Sequence, residues 1–268
     1  MLSSYPDRAD TLGKQGGHKL TDALSHENIG NRKGTDRMRT EIVFEDKDLL
    51  VIHKPAGLAT QTARIGQQDV ASELKNYLSS KSGQKGQPYL GIVHRLDQPV
   101  EGLLVFAKNR KSAAALSNQL NKQYYAVFCG KPAAAEGELV DYLSKDSATG
   151  RAIIVPEGEA ADCGAKRAVL HYRIMKTSST EQGELSLADI EIGTGRFHQI
   201  RAQMANAGMA LLGDEKYADG ATKEISHALG VTSVALCAYS LAVRQPATGK
   251  LLHFQIHPAT KAFSFFDL

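Results

Sequence analysis

In the stretch IVHRLDQPVEGLLVFAKN, residues 92–109, a histidine, an arginine and an aspartate stand between two apolar runs. Asp97 falls where a buried strand should give way to a loop, a place from which a scaffold can present a reactive group to a cleft. A carboxylate held there can serve as a nucleophile or a general base. Arg95, two positions earlier, shares its side if the strand stays regular. The plainer reading is an Arg–Asp pair that closes a loop, and composition alone favours it, because ion pairs are common and reactive centres few. His94 reads as a hydrogen-bonded core histidine.

A second group lies in GTGRFHQIRAQMANAG, residues 193–208. Two glycines precede a helix whose opening turns carry Arg196, His198, Gln199 and Arg201. A helix N-terminus beside two guanidinium groups suits a phosphate or another anion. The alternative is an amphipathic helix with a solvated basic face. In KQYYAVFCG, Tyr124 and Tyr125 must point to opposite faces of a strand, so one can pack while the other lines a cleft. Lys54, in VIHKPAG, sits at a rigid turn, where a lone lysine is usually only solvated. A kinase-like His-Arg-Asp is excluded by the intervening Leu96 and by the absence of a glycine-rich phosphate loop. A zinc site built from His53, His94 and His198 is disfavoured by the cation beside each (Lys54, Arg95 and Arg196).

These residues need a scaffold. The 268 residues are long enough for one or two domains, and 42% hydrophobic content is ordinary for a globular chain. No apolar run is long enough to span a bilayer, and no secretory signal opens the chain. Three separate cysteines suit a reducing cytoplasm. A net charge of +3 leans mildly toward polyanions, so nucleic-acid binding would require clustered charge. Residues 1–37 are polar and aperiodic and read as a disordered extension ahead of a domain spanning 38–268, with Met38 a candidate natural start. From there EIVFEDKDLLVIHKPAG reads as two strands and a type I turn, with Pro55 second and Gly57 fourth. KSAAALSNQLN reads as a helix capped by Ser112, with Ala113, Leu116 and Leu120 on one face. The apolar phase of LSLADIEIG shifts, suggesting a bulge or burial on both faces. RFHQIRAQMANAG reads as a helix stopped by Gly208, and QPATGK as a hairpin turn. Many strands without βαβ alternation predict an α+β fold with a large mixed, mostly antiparallel central sheet.

The order of these stretches resembles the RluA-type family of RNA pseudouridine synthases. LLVIHKPAGLATQ is similar to that family's Lys-Pro-x-Gly strand, HRLDQPVEGLLVFAKN to its signature, KQYYAVFCG to its tyrosine strand, and GTGRFHQIRAQMANAGMALLGDEKY to its third motif. The resemblance runs from about residue 40 to 265. It implies isomerisation of uridine to pseudouridine in structured RNA (rRNA or tRNA) at a cleft across the sheet, without cofactor or metal. Asp97 would be the catalytic aspartate, as nucleophile or as base, Arg201 its partner, and Tyr124 the residue stacking on the base and aiding removal of its C5 proton. Arg95, Lys54, Arg196, His198 and Gln199 would hold the flipped nucleotide and its neighbouring phosphates. A monomeric cytoplasmic catalytic domain, with no S4 domain, no membrane association and no obligatory protein partner, is the matching expectation. Three departures stand out: Val100-Glu101 for Thr-Ser, Phe197 for Thr or Ser, and Ala202-Gln203 for Val-His. Glu101 should either add negative charge near Asp97 or point outward.

Overall fold

The computed structural model describes residues 38–62, 64, 66–82, 86–116 and 120–268. The expected N-terminal extension, residues 1–37, lies outside the described residues, and the unit described is Met38–Leu268.

The strands in chain order are β1 (Glu41–Glu45), β2 (Leu49–Lys54), β3 (Gly91–Ile92), β4 (Glu101–Ala107), β5 (Leu120–Cys129), β6 (Glu136–Asp146), β7 (Arg151–Val155), β8 (Lys166–Thr180), β9 (Gly183–Ile192), β10 (Leu236–Arg244) and β11 (Leu251–Gln255). The helices are α1 (Val70–Ser82), α2 (Arg110–Leu116), α3 (Gln199–Asn206) and α4 (Gly220–Ala228). One sheet runs β1-β2-β4-β10-β5-β9-β8-β6-β7, with β11 on β10 and β3 on β4. The β4–β10 pairing is parallel, and the others among the described residues are antiparallel. The fold is α+β with a mixed, mostly antiparallel sheet.

Strand alternation sorts the core into two layers. Leu50, Ile52, Leu104, Phe106, Tyr124, Ala126 and Ile190 face one side, where Val70 and Leu74 of α1 and Ile200 and Met204 of α3 cover them. Leu49, Val51, Leu103 and Val105 face the other, against Leu241, Val243 and Leu116. Every residue of β4 is buried, which is why EGLLVFA reads as a nearly unbroken apolar run. Tyr124 and Tyr125 separate as alternation requires: Tyr124 joins the first layer, while Tyr125 stacks on Tyr239 on the other, with ring centroids 3.6 Å apart.

Three local expectations are corrected, and a fourth is met. The strand before Asp97 ends at Ile92, so Arg95 and Asp97 stand on a loop and share no strand face. The turn after Lys54 occupies Ala56 and Gly57, and Gly57 has φ +81°, the value a type II turn needs at its third position. Helix α2 is capped by Asn109, whose Oδ1 accepts from the N–H of Ser112 at 2.8 Å; Ser112 lies inside the helix and Leu120 begins β5. The phase shift in LSLADIEIG is burial on both faces, Leu185 to Ala188 all being buried, and a register shift lies opposite it in β8, between Ile174 and Lys176.

Candidate active site

Asp97 is held by its neighbours. Leu96 accepts at its carbonyl from Thr60 Oγ1 (3.0 Å) and donates its N–H back to that oxygen (3.3 Å). The carbonyl of Gln98 accepts from the Gly57 N–H (2.8 Å) and from Lys54 Nζ (3.1 Å). The residues on both sides of Asp97 are thus tied to the 54–60 segment. The Asp97 side chain itself remains 26% exposed.

Lys54 is the post of this arrangement. It is fully buried, and Nζ donates to three carbonyls, those of Pro55 (3.0 Å), Leu58 (2.7 Å) and Gln98 (3.1 Å). An ammonium has three protons, and all three are engaged. Burial pushes it down to about 7, against the pull of Asp97 and Glu101. The expected contact between Lys54 and a nucleotide is corrected on this ground: the group has neither exposed surface nor a spare donor, and it positions the Asp97 loop from beneath.

Facing Asp97 is Arg201, on the first turns of α3 and 3% exposed. Its Nη1 donates to Asp97 Oδ2 at 3.1 Å, as the sequence led us to expect. The rest of the guanidinium is used elsewhere. Nε and Nη2 make a two-pronged pair with Asp214, each bond 2.7 Å long. The Asp214 side chain has no exposed surface, and its Oδ1 also accepts from the N–H groups of Lys216 (3.0 Å) and Tyr217 (3.2 Å). Burial alone would disfavour the charge on Arg201, but the two carboxylates more than offset this and raise its pKa.

His198 completes the cluster. Its Nε2 lies 3.6 Å from Asp97 Oδ2, and its Nδ1 lies 2.8 Å from the hydroxyl of Tyr217. That hydroxyl already accepts the Ala152 N–H at 2.6 Å, so its own proton is free for Nδ1. The imidazole then carries its proton on Nε2, toward Asp97. Burial pushes His198 down to about 4; Asp97 pulls the other way, while Arg201 and Lys216 deepen the depression. The backbone of His198 has φ 50°, the one positive φ at a non-glycine residue among the described residues. Such a conformation costs about 1–3 kcal/mol and persists where surrounding contacts impose it, commonly at functional sites.

Tyr124 lies 4% exposed under this cluster, and burial, then Asp97, push its phenol well above the ordinary range. It is an apolar floor that holds its proton tightly. Of the other expected contacts, Arg95 is exposed and donates to the Gln61 carbonyl (3.4 Å). Arg196 is exposed and donates from Nε to the Arg167 carbonyl (3.1 Å). Gln199 turns inward, accepting from Thr194 Oγ1 and the Arg196 N–H and donating to the Val169 carbonyl, which corrects its expected place among the ligand-facing groups. The departures also find their places. Glu101 points to the opposite side of the sheet from Lys54, buried, accepting from the Ala259 and Thr260 N–H groups. Gln203 ties α3 to the Leu139 carbonyl and to Asp141.

Sequence reasoning missed Asp214 and Tyr217. Both lie in an aperiodic segment between α3 and α4, where the only signal was the Leu-Leu-Gly-Asp run followed by an aromatic. Among the described residues, no group of three or more His, Cys, Asp or Glu is arranged to hold a metal, and no helix is long and apolar enough to cross a membrane.

Comparison with known proteins places this cluster in context. The family described as RNA pseudouridylate synthase matches residues 48–206. The chain is 35% identical over 202 residues to the uncharacterized RNA pseudouridine synthase YhcT of Bacillus subtilis, covering 72% of this chain and 64% of that protein. It is 36% identical over 226 residues to ribosomal large subunit pseudouridine synthase D of Zymomonas mobilis, covering 80% and 68%. To ribosomal large subunit pseudouridine synthase C of Rickettsia conorii it is 34% identical over 181 residues, covering 66% and 55%. The chain thus spans between about half and two thirds of the length of these relatives. Among solved structures, Human RNA Pseudouridylate Synthase Domain Containing 4 superposes with a TM-score of 0.64 at 24% identity, covering 84% of this chain and 92% of that one, a likeness of fold.

Proposed function

Because the chain belongs to the RNA pseudouridylate synthase family, we propose that it isomerises specific uridines to pseudouridine in structured RNA, with ribosomal RNA the favoured substrate. Three relatives with 34–36% identity support this reading, two of them named for the large ribosomal subunit. The observation that carries it is the carboxylate of Asp97, 26% exposed and held at 3.1 Å by an arginine that Asp214 anchors from behind.

The reaction breaks the bond between N1 of uracil and C1′ of ribose, turns the base, and joins C5 to C1′; the proton on C5 then leaves and N1 gains one. Asp97 is the group placed to act at the ribose, by attack on C1′ or by removal of the 2′ proton. Arg201 fixes the carboxylate's direction and spreads its charge. Tyr124 supplies a surface for the uracil ring. Tyr124 and Asp97 are the groups placed to help remove the C5 proton once C5 is attached. The chain would work in the cytoplasm as a monomer. The test is incubation with an unmodified large-subunit ribosomal RNA transcript, followed by nucleoside chromatography. Pseudouridine should appear at the expense of uridine; free uracil would instead indicate glycoside hydrolysis, and unchanged nucleosides a binding protein.

A further inference from the structure

We propose that Phe197 is a stacking platform for the nucleotide beside the target uridine, with Lys145 meeting that nucleotide's phosphate; this rests on the function proposed above. Phe197 is a large apolar side chain left 40% exposed at the mouth of the site. Its ring stacks on the His198 imidazole, centroids 3.7 Å apart and planes at 22°. His198 in turn is fixed by Tyr217 and faces Asp97, so a single imidazole separates the Phe197 ring from the reacting carboxylate. The ammonium of Lys145, an exposed residue near the end of β6, lies over the Phe197 ring, 4.9 Å from its centroid, and must swing aside toward the phosphate when a base stacks there. Arg151, across the hairpin on β7, lies over the Tyr217 ring at 5.6 Å.

An exposed aromatic with cations around it is the combination that holds single-stranded nucleic acid, the ring stacking a base and the cations following the backbone. When a uridine leaves its stack, its neighbour loses a stacking partner. Phe197 offers a replacement next to the place where the uridine must sit. A packing role for the ring is the competing explanation, since it covers one face of His198. The two roles differ in what they require: cover needs only apolar bulk, whereas stacking needs an aromatic ring.

The chain contains no tryptophan, so Phe197→Trp introduces a single indole at the proposed contact. Its emission is followed while a short oligouridylate is added, and affinity is measured in parallel with labelled RNA. Stacking predicts saturable quenching in Phe197→Trp, and binding weakened about tenfold or more in Phe197→Leu but retained in Phe197→Trp. Lys145→Ala should lower the salt dependence of binding by about one phosphate contact. Equal affinity in Phe197→Leu and wild type, or an indole whose emission ignores bound RNA, would overturn the proposal. Quenching by a chain that forms no pseudouridine would leave this contact standing and overturn the proposed function instead. Pseudouridine formation with an unresponsive indole would do the reverse.

Discussion

Arg201 serves two carboxylates with one guanidinium, and they differ in burial. Asp214 has no exposed side-chain surface, whereas Asp97 keeps 26%. Removing the arginine therefore strands Asp214 far more than Asp97. Arg201→Ala should cost about 3–5 kcal/mol of stability, the range for a buried charge left without its partner. Adding Asp214→Asn should recover much of that loss, and adding Asp97→Asn little; urea denaturation of the two double-mutant cycles checks the difference. From sequence alone the coupling would have been assigned to Asp97, because only that partner was legible. Arg201→Lys keeps the charge but loses the fork, and a misplaced Asp97 should lower turnover about 100-fold. His198 gives a pH signature. Its pKa is pushed down to about 4 from 6.5, so within that window the unfolded chain takes up a proton that the folded chain refuses. The contribution to stability is complete above 6.5 and is lost as pH falls toward 4. His198→Asn, which tolerates the left-handed backbone, should flatten this part of the acid loss when urea midpoints at about pH 7 and about pH 4.5 are compared.

At the scale of elements, β4 follows the Asp97 loop and lies inside the sheet between β2 and β10. Its first paired glycine, Gly102, has φ +135°, and a Cβ there would lie 2.5 Å from the backbone nitrogen of Ala238 and 2.7 Å from its oxygen. Those atoms belong to β10, the parallel partner. Gly102→Ala must therefore both strain β4 and drive two strands apart, costing about 3 kcal/mol or more, and turnover should fall with it as the loop loses its anchor. A variant with an unchanged urea midpoint would refute this account of the glycine. Some elements were readable and others were not, for physical reasons. The run Leu103–Ala107 announces a strand buried on both faces, and Gly208 marks the end of α3 with φ +74°. Helix α4 escaped because the positions it buries are polar, Thr222 and Ser226, and so do not mark a core-facing stripe. Its start lies in the cap, where Asp219 Oδ1 accepts from the Thr222 N–H at 2.8 Å. The phase shift of β9 was legible too, because a strand buried on both faces, as Leu185 to Ala188 are, loses its alternation.

For the whole molecule, the site joins the Asp97 loop to the distant helix α3, and the segment just after that helix adds Asp214 and Tyr217. Motif order was enough to bring the first two together. Lys54 was legible as a member of the site but not in its role, because nothing in sequence distinguishes a lysine that reaches a phosphate from one that donates to three carbonyls. Glu101 shows the same limit: strand alternation sends it to the sheet's other side, although it is only four residues from Asp97. The measurement closest to the central claim is pseudouridine formation by Asp97→Asn on an unmodified large-subunit ribosomal RNA transcript, beside wild type and with unfolding cooperativity checked. Asparagine keeps the shape and can still accept from Arg201, but it can neither attack C1′ nor take a proton. The account predicts a folded protein that binds RNA and forms no measurable pseudouridine. Substantial conversion by the folded Asp97→Asn variant would contradict it.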